Sequence, residues 1–122
     1  MLFRSPLDAF AVGSGPNISG PKGIVLTNMG QIEAMVGRVL SGGQKRLDSC
    51  YRQKAAVQPG YSGTWYVSVD VARDGTVEGL MVSARKGADA AMERCIKGQV
   101  KRWTFQRIAE PISSSTVYRF GN

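Results

Sequence analysis

The chain has 122 residues, of which 43% are hydrophobic, and this is enough for one compact domain with a core of its own. Sixteen lysines and arginines against nine acidic residues give a net charge of +7, which favours anionic partners such as acidic proteins, nucleic acids, lipid headgroups or anionic cell-wall polymers. The chain has no histidine and no recognisable nucleophile–base pair or phosphate-binding loop, so we predict neither enzymatic activity nor a cofactor or metal site.

The first 23 residues differ in composition from the rest of the chain. They are rich in proline and glycine and show no apolar period, which is typical of a flexible linker or tail. A small apolar cluster inside residues 1–12 is either a remnant of upstream sequence or a short segment that docks on the core. No stretch is long and apolar enough to span a bilayer, and residues 1–23 lack the features of a secretory signal. We therefore predict a soluble domain over residues 24–122.

Two helices are predicted before the first strand. Thr27 is a suitable N-cap for a helix over residues 28–40, in which apolar residues recur at helical spacing. Gly42 and Gly43 are predicted to interrupt this helix, because glycine is unfavourable in a helix interior. A second helix is predicted over residues 44–56, where the sequence is again helical in pattern and then ends at a proline and a glycine.

Residues 63–84 predict a β-hairpin, around which the rest of the domain is organised. From Trp65 to Val71, apolar residues alternate with polar ones, which is the period of a strand with one buried face. Residues 73–75 supply the turn, since their glycine can take the positive φ that hairpin loops require. The second strand follows over residues 76–84. A hairpin alone is marginally stable at best, so flanking segments must cover its apolar face.

A third helix and a last strand are predicted after the hairpin. Asp89 is a suitable cap for a helix with one apolar stripe, and the basic residues on its other face are interpreted as solvated surface. Pro111 and Ser113–Ser115 are predicted to form a loop, and residues 116–120 a short strand. This order predicts an α+β fold with a small three-stranded antiparallel sheet in the order 2-1-3 and helices packed on one face. The last strand is then an edge.

Cys50 and Cys95 both fall on apolar helix faces, and the predicted fold makes the two helices neighbours. Two interpretations are open: a pair of buried thiols, which are common core residues, or one disulfide. In the chain-entropy model, closing a loop of this length stabilises the fold by roughly 4 kcal/mol. We predict the disulfide and, with it, an oxidising compartment, because cytosolic thiols are kept reduced.

Several short motifs occur in an order that is typical of a known family. They are Leu26-Thr27, Gln31-Ile32, Cys50-Tyr51, Gly63, Asp74-Gly75, Val82-Ser83, Glu93-Arg94-Cys95 and Trp103-Thr104-Phe105. Together they resemble the C-terminal domain family of TonB, the periplasmic energy transducer, and are most similar to the AgmX/PglI-type C-terminal domain of myxobacterial gliding-motility proteins. The resemblance covers about residues 24–120.

The resemblance implies a non-catalytic, protein-binding domain in the periplasm, within a cell-envelope complex for gliding motility or TonB-like energy transduction. The parent chain would be anchored in the inner membrane, and the partner would be an outer-membrane or periplasmic protein. An anionic cell-wall polymer is a further class of partner. Family members recruit an extended peptide as an added strand, which suits an exposed edge. Arg119 and Arg107 would be available for an acidic partner. The predicted docking strand consists of Ser114, Ser115, Thr116, Val117, Tyr118, Arg119 and Phe120.

Two alternatives bear on this prediction. The last strand is either open to a partner or covered by residues 1–12 or a second copy of the domain. The second alternative is a basic nucleic-acid-binding module, for which exposed aromatic residues would serve as stacking platforms. Trp65 and Trp103 fall at core-facing positions instead, so nucleic acid is not the expected partner.

Overall fold

A computed structural model describes residues 24–121, and the linker predicted over residues 1–23 lies outside the described residues. Three strands form one antiparallel sheet in the order β2-β1-β3, which confirms the predicted topology. Helix α1 packs over β3, whereas α3 packs over β2, and α2 lies beside α3. The elements are α1 (Met29–Arg46), α2 (Asp48–Val57), β1 (Gly63–Val71), β2 (Val77–Lys86), α3 (Ala90–Val100) and β3 (Ile112–Phe120).

The helices cover the apolar face of the central strand. Trp65, Val67 and Val69 are at most 1% exposed, and they form the middle of the hydrophobic core. Side chains alternate across a strand, so the residues between them point to the opposite face. There Tyr66 and Ser68 are only half-buried, and no helix in residues 24–121 covers them. The sheet therefore has one face in the core and one open face.

Helix α1 runs through the glycines that were predicted to interrupt it. Gly42 and Gly43 lie inside the helix, and α2 begins only at Asp48. Gly43 is buried, and a Cβ atom there would lie within 3.0 Å of the Trp103 ring and the Tyr118 hydroxyl. The prediction of a break was wrong because close packing at Gly43 outweighs a propensity penalty of about 1 kcal/mol per glycine.

The helix caps show one wrong prediction and one confirmed one. Asn28, not Thr27, caps α1, and its side-chain oxygen accepts a hydrogen bond from the Gln31 amide at 3.0 Å. Asp89 caps α3 as predicted, accepting from the Met92 amide at 2.9 Å. Asparagine and threonine are both good caps, so the sequence pattern locates such a boundary only to within a residue or two.

The hairpin turn is held by the segment that leads into the last strand. Gly75 has the positive φ that the turn requires, and its carbonyl accepts a hydrogen bond from the Phe105 amide at 2.8 Å. The Ile108 amide donates to the Arg73 carbonyl at 3.0 Å, and Leu26 forms a parallel bridge with Ile108. These contacts fix the point from which the chain enters β3.

The last strand is longer than predicted. It begins at Ile112, so Ser113–Ser115, predicted as a loop, belong to the strand and pair with β1. The Ser113 hydroxyl donates to the Asp70 carboxylate at 2.5 Å across this pairing. The loop prediction was wrong because the serines lack the apolar alternation of a half-buried strand. They are strand residues because the β1 backbone pairs with them.

A disulfide joins α2 to α3. The sulfur atoms of Cys50 and Cys95 are 2.08 Å apart and their Cα atoms 5.8 Å apart, which confirms the predicted disulfide against the alternative of two buried thiols. Beside it, the Lys54 ammonium group donates to the Asp89 carboxylate at 2.8 Å. A covalent bond and an ion pair thus hold the same two helices together.

Candidate functional site: the edges of the sheet

The sheet has two edges, formed by β2 and by β3. The predicted docking strand lies on one of them, the β3 edge. In an antiparallel strand, the N–H and C=O groups of one residue point to one side and those of the next residue to the other. Each edge strand therefore turns every second residue's backbone groups away from the sheet, where they can pair with another chain.

A contact from α1 shows which residues of β3 point outward. The Gln44 side-chain amide donates to the Arg119 carbonyl at 2.9 Å, and its oxygen accepts from the Arg119 amide at 3.3 Å. Both backbone groups of Arg119 therefore point away from β1. By alternation, the backbone groups of Val117, Ser115 and Ser113 point the same way. The backbone groups of Ser114, Thr116, Tyr118 and Phe120 point toward β1 instead.

The structure thus divides the seven residues that were predicted to dock a partner. Tyr118 and Phe120 are 2% and 4% exposed and belong to the core, and the Tyr118 hydroxyl donates to the Leu40 carbonyl. Of the outward-facing residues, Arg119 already has its backbone N–H and C=O groups bonded to the Gln44 side chain. Ser113 was not among the seven, because the predicted docking strand began at Ser114, whereas the observed strand begins at Ile112.

What remains is a short run of unpaired backbone. In residues 24–121, no group bonds to the outward N–H and C=O groups of Ser113, Ser115 and Val117. Within that part of the chain, the outward strand-pairing groups of these three residues have no partner.

The β3 edge is regular and uncharged along this run. Its register with β1 is unbroken from one end of the strand to the other. Every residue between Ile112 and Tyr118 is neutral. Pro111, which comes next in the outward alternation, has no N–H to donate. The open part of the edge is therefore bounded by Pro111 at one end and by the occupied Arg119 at the other.

The β2 edge is irregular and charged. Its register with β1 shifts near both ends of the strand. Glu78, Arg85 and Lys86 are exposed, and the Arg85 guanidinium lies 5.5 Å from the centre of the Tyr66 ring. Bulges and charged side chains are devices by which proteins keep edge strands from pairing with other chains. Of the two edges, β3 is the one suited to accept a strand.

The two arginines expected to face an acidic partner lie at opposite ends of β3. Arg119 pairs with Thr64 near the start of β1. Arg107 lies at the hairpin-turn end, where its carbonyl accepts from the Leu26 amide and where Ile108 bonds the turn. Both side chains are exposed, and neither forms an ion pair within the described residues. An exposed positive charge therefore lies near each end of β3.

The groups with shifted pKa values stabilise the fold and lie off the open edge. A hydrogen bond from the Thr76 hydroxyl lowers the pKa of Asp74 in the hairpin turn. The hydrogen bond from Lys54 lowers the pKa of Asp89 at the start of α3. Burial raises the pKa of the Tyr118 hydroxyl beneath α1. Ser113, Ser115 and Val117, whose outward groups have no partner in residues 24–121, carry no acidic or basic side chain.

Three comparisons with known proteins identify no relative. No protein-family model, curated protein or solved structure matches the chain. Among residues 24–121, no three acidic or cysteine side chains come together in a way that would hold a metal ion. The same part of the chain contains no helix with the length and apolarity needed to cross a membrane. The family resemblance stays a prediction.

Proposed function

We propose that this domain is a non-catalytic protein-binding module that captures an extended segment of a partner protein as a fourth strand on β3. The observation that carries the proposal is the run of backbone groups at Ser113, Ser115 and Val117 that have no partner within residues 24–121, on a regular, neutral edge. In strand addition, main-chain hydrogen bonds supply affinity and alternate side chains supply selectivity. Both are available on β3.

The compartment and the class of partner belong to the same proposal. The Cys50–Cys95 disulfide supports an oxidising compartment, for which we propose the periplasm. The resemblance to TonB C-terminal domains supports a role in a cell-envelope complex whose parent chain is anchored in the inner membrane. The exposed Arg119 and Arg107 and the charge of +7 favour an acidic segment of an outer-membrane or periplasmic protein.

The proposal is tested by capturing proteins from the envelope of the source cell on the immobilised full chain, without reductant. Val117→Pro removes an outward-facing N–H but leaves every hydrogen bond to β1 in place. We therefore expect this variant to fold and no longer to capture the partner. Val117→Thr keeps the N–H and serves as the matched control, for which we expect capture as in the wild type. Equal capture by the proline variant would refute docking on this edge.

Phe120 is unsuitable for the same experiment. Its side chain is in the core and its backbone faces β1, so a proline there would unfold the strand rather than block a partner. Binding of an anionic cell-wall polymer is the other outcome that the capture experiment can give. Such binding would depend on the arginines and would be the same for the proline variant and the wild type.

Binding of nucleic acid receives less support from the described residues. Trp65 and Trp103 are 1% and 2% exposed, so neither ring is available for stacking with a base. Salt separates the two functions: binding to phosphates falls steeply with added salt, whereas backbone pairing does not. We expect capture of the partner to persist at a salt concentration that would abolish binding of a nucleic acid.

A further inference from the structure

The Gln44 side chain bonds to the edge of β3 as a neighbouring strand would. A carboxamide has both a donor and an acceptor, and here these satisfy the carbonyl and the amide of the same residue, Arg119. An added strand would need those two groups to extend its pairing beyond Val117. The helix therefore already occupies the last pairing position of an edge that no other part of residues 24–121 covers.

We propose that Gln44 is a specificity-determining stop, which ends the pairing of a captured strand at Val117 and thereby sets its register and length. This inference rests on the proposed function, since it concerns the same edge. The opposite limit is Pro111, which cannot donate a hydrogen bond. Between the two limits, the partner pairs with Ser113, Ser115 and Val117 and with no other residue of the strand.

These limits describe the kind of segment that fits. It is a short extended peptide whose backbone bonds to three alternate residues of β3. On the open face of the sheet, its side chains lie beside Ser113, Ser115 and Val117, of which the serines are small and exposed. Val117 is half-buried and pairs with Tyr66, so an apolar or β-branched residue fits next to it.

The charge at the stop adds one more requirement. The Arg119 guanidinium is exposed on the same face, just past the last pairing position, and has no carboxylate partner among the described residues. A peptide residue that follows the one beside Val117 reaches this guanidinium. We therefore expect the captured segment to carry an acidic residue at the Gln44 end.

The stop itself is tested without a partner, by amide hydrogen exchange of the full chain followed by NMR. In Gln44→Ala, we expect the Arg119 amide to exchange about fivefold faster than in the wild type, as for the loss of one hydrogen bond. Ser41→Ala, an exposed position one turn earlier in α1, is the matched control and should leave this rate unchanged. The Ser115 and Val117 amides should exchange rapidly in all three proteins.

Two outcomes of this measurement would overturn the inference. An unchanged Arg119 rate in Gln44→Ala would show that the side chain does not hold these groups in solution. Protected Ser115 and Val117 amides in the wild type would show that another part of the chain covers the edge. The first result counts against the stop alone, whereas the second also counts against the proposed function, so failure of the stop and failure of the proposed function are distinguishable.

A tethered strand tests the limit on length. The probe is the full chain extended after Asn122 by a glycine/serine linker and a strand of alternating threonine and valine, because tethering raises the effective concentration of the strand. We expect the probe to protect the Ser113, Ser115 and Val117 amides while the side-chain amide signals of Gln44 stay in place. Lack of protection, or displacement of Gln44 by the strand, would each count against the stop.

Discussion

The two edges of the sheet expose similar backbone groups but differ in how well they can pair with another chain. β2 is joined to β1 by a tight turn, and its register shifts near both ends of the pairing. β3 is reached through a crossing segment and pairs with β1 without a shift. Charged residues lie at both ends of β2, whereas the run from Ile112 to Tyr118 is neutral. An exposed edge strand pairs readily with another chain when its register is regular and it carries no charge; exposure alone is not enough.

The helices above the two edges are also secured differently. On the β2 side, a disulfide and an ion pair hold α2 to α3. On the β3 side, α1 is held by packing at Gly43 and by the hydrogen bond from the Tyr118 hydroxyl to the Leu40 carbonyl. The edge that we propose to bind a partner is therefore the one whose helix is held by noncovalent contacts.

The largest expected effect comes from breaking the packing under the β3 edge. The Trp103 ring is 2% exposed and fits against Gly43, with the Arg46 guanidinium 5.9 Å from its centre. We expect Trp103→Ala to lower the free energy of unfolding by about 3 to 5 kcal/mol in urea denaturation, because it leaves a large cavity. Val57→Ala, at an exposed position, is the control. If Trp103→Ala is as stable as the wild type, packing of the Trp103 ring does not hold α1 against the sheet.

Removing the disulfide tests the β2 side. Cys50 and Cys95 are 45 positions apart, and the chain-entropy model gives about 4 kcal/mol for such a loop, as an upper figure. We expect the double substitution to alanine to lose stability by up to this amount while the Arg119 amide exchanges as in the wild type. Reductant should destabilise the wild type and leave the double variant unaffected. A wild type that is equally stable with and without reductant would contradict this.

Acid is expected to loosen the contact between α2 and α3. The pKa of Asp89 is lowered from 3.8 by Lys54, so the folded state binds the proton more weakly than the unfolded state does. The stabilisation is present above about pH 4 and is lost as the pH falls through the lower, folded-state pKa. Lys54→Met should raise this pKa in an NMR titration of the carboxylate. An unchanged pKa in that variant would exclude Lys54 as the cause.

The smallest effect on stability, and the sharpest contrast between the edges, comes from two matched lysine substitutions. Ser115 and Ser83 are both exposed serines on the open face, one on β3 and one on β2. We expect each change to lysine to alter stability by less than about 0.5 kcal/mol. Ser115→Lys should abolish capture in the envelope experiment, because a charge on the edge blocks pairing, and Ser83→Lys should not. Equal capture by both variants would mean that the edges do not differ as proposed.

The order of elements and the hairpin were predictable because each depends on local periodicity. Alternation from Trp65 to Val71 defines β1, and Gly75 marks its turn. The cysteines lie on apolar helix faces that a three-stranded sheet brings together, so their pairing could be predicted as one of two alternatives. Asp89 as a cap followed from the same local chemistry.

The composition of the open edge could not be predicted in the same way. Ser113 is a strand residue because β1 pairs with it, and no local pattern indicates this. The contact between Gln44 and Arg119 joins residues 75 positions apart, on elements whose packing the sequence pattern does not specify. An exposed glutamine in a helix carries no signal of its own.

The sequence by itself determined the elements, their order and the antiparallel sheet, since hydrophobic periodicity and turn chemistry act between residues that are close in the chain. Only the tertiary structure decided that α1 continues through Gly43 and that the β3 edge has a more regular register than the β2 edge. It also decided that the Gln44 side chain bonds to the Arg119 backbone. These features depend on which surfaces meet after the helices pack on the sheet. That choice is made by the shape of the core as a whole rather than by any short stretch of residues.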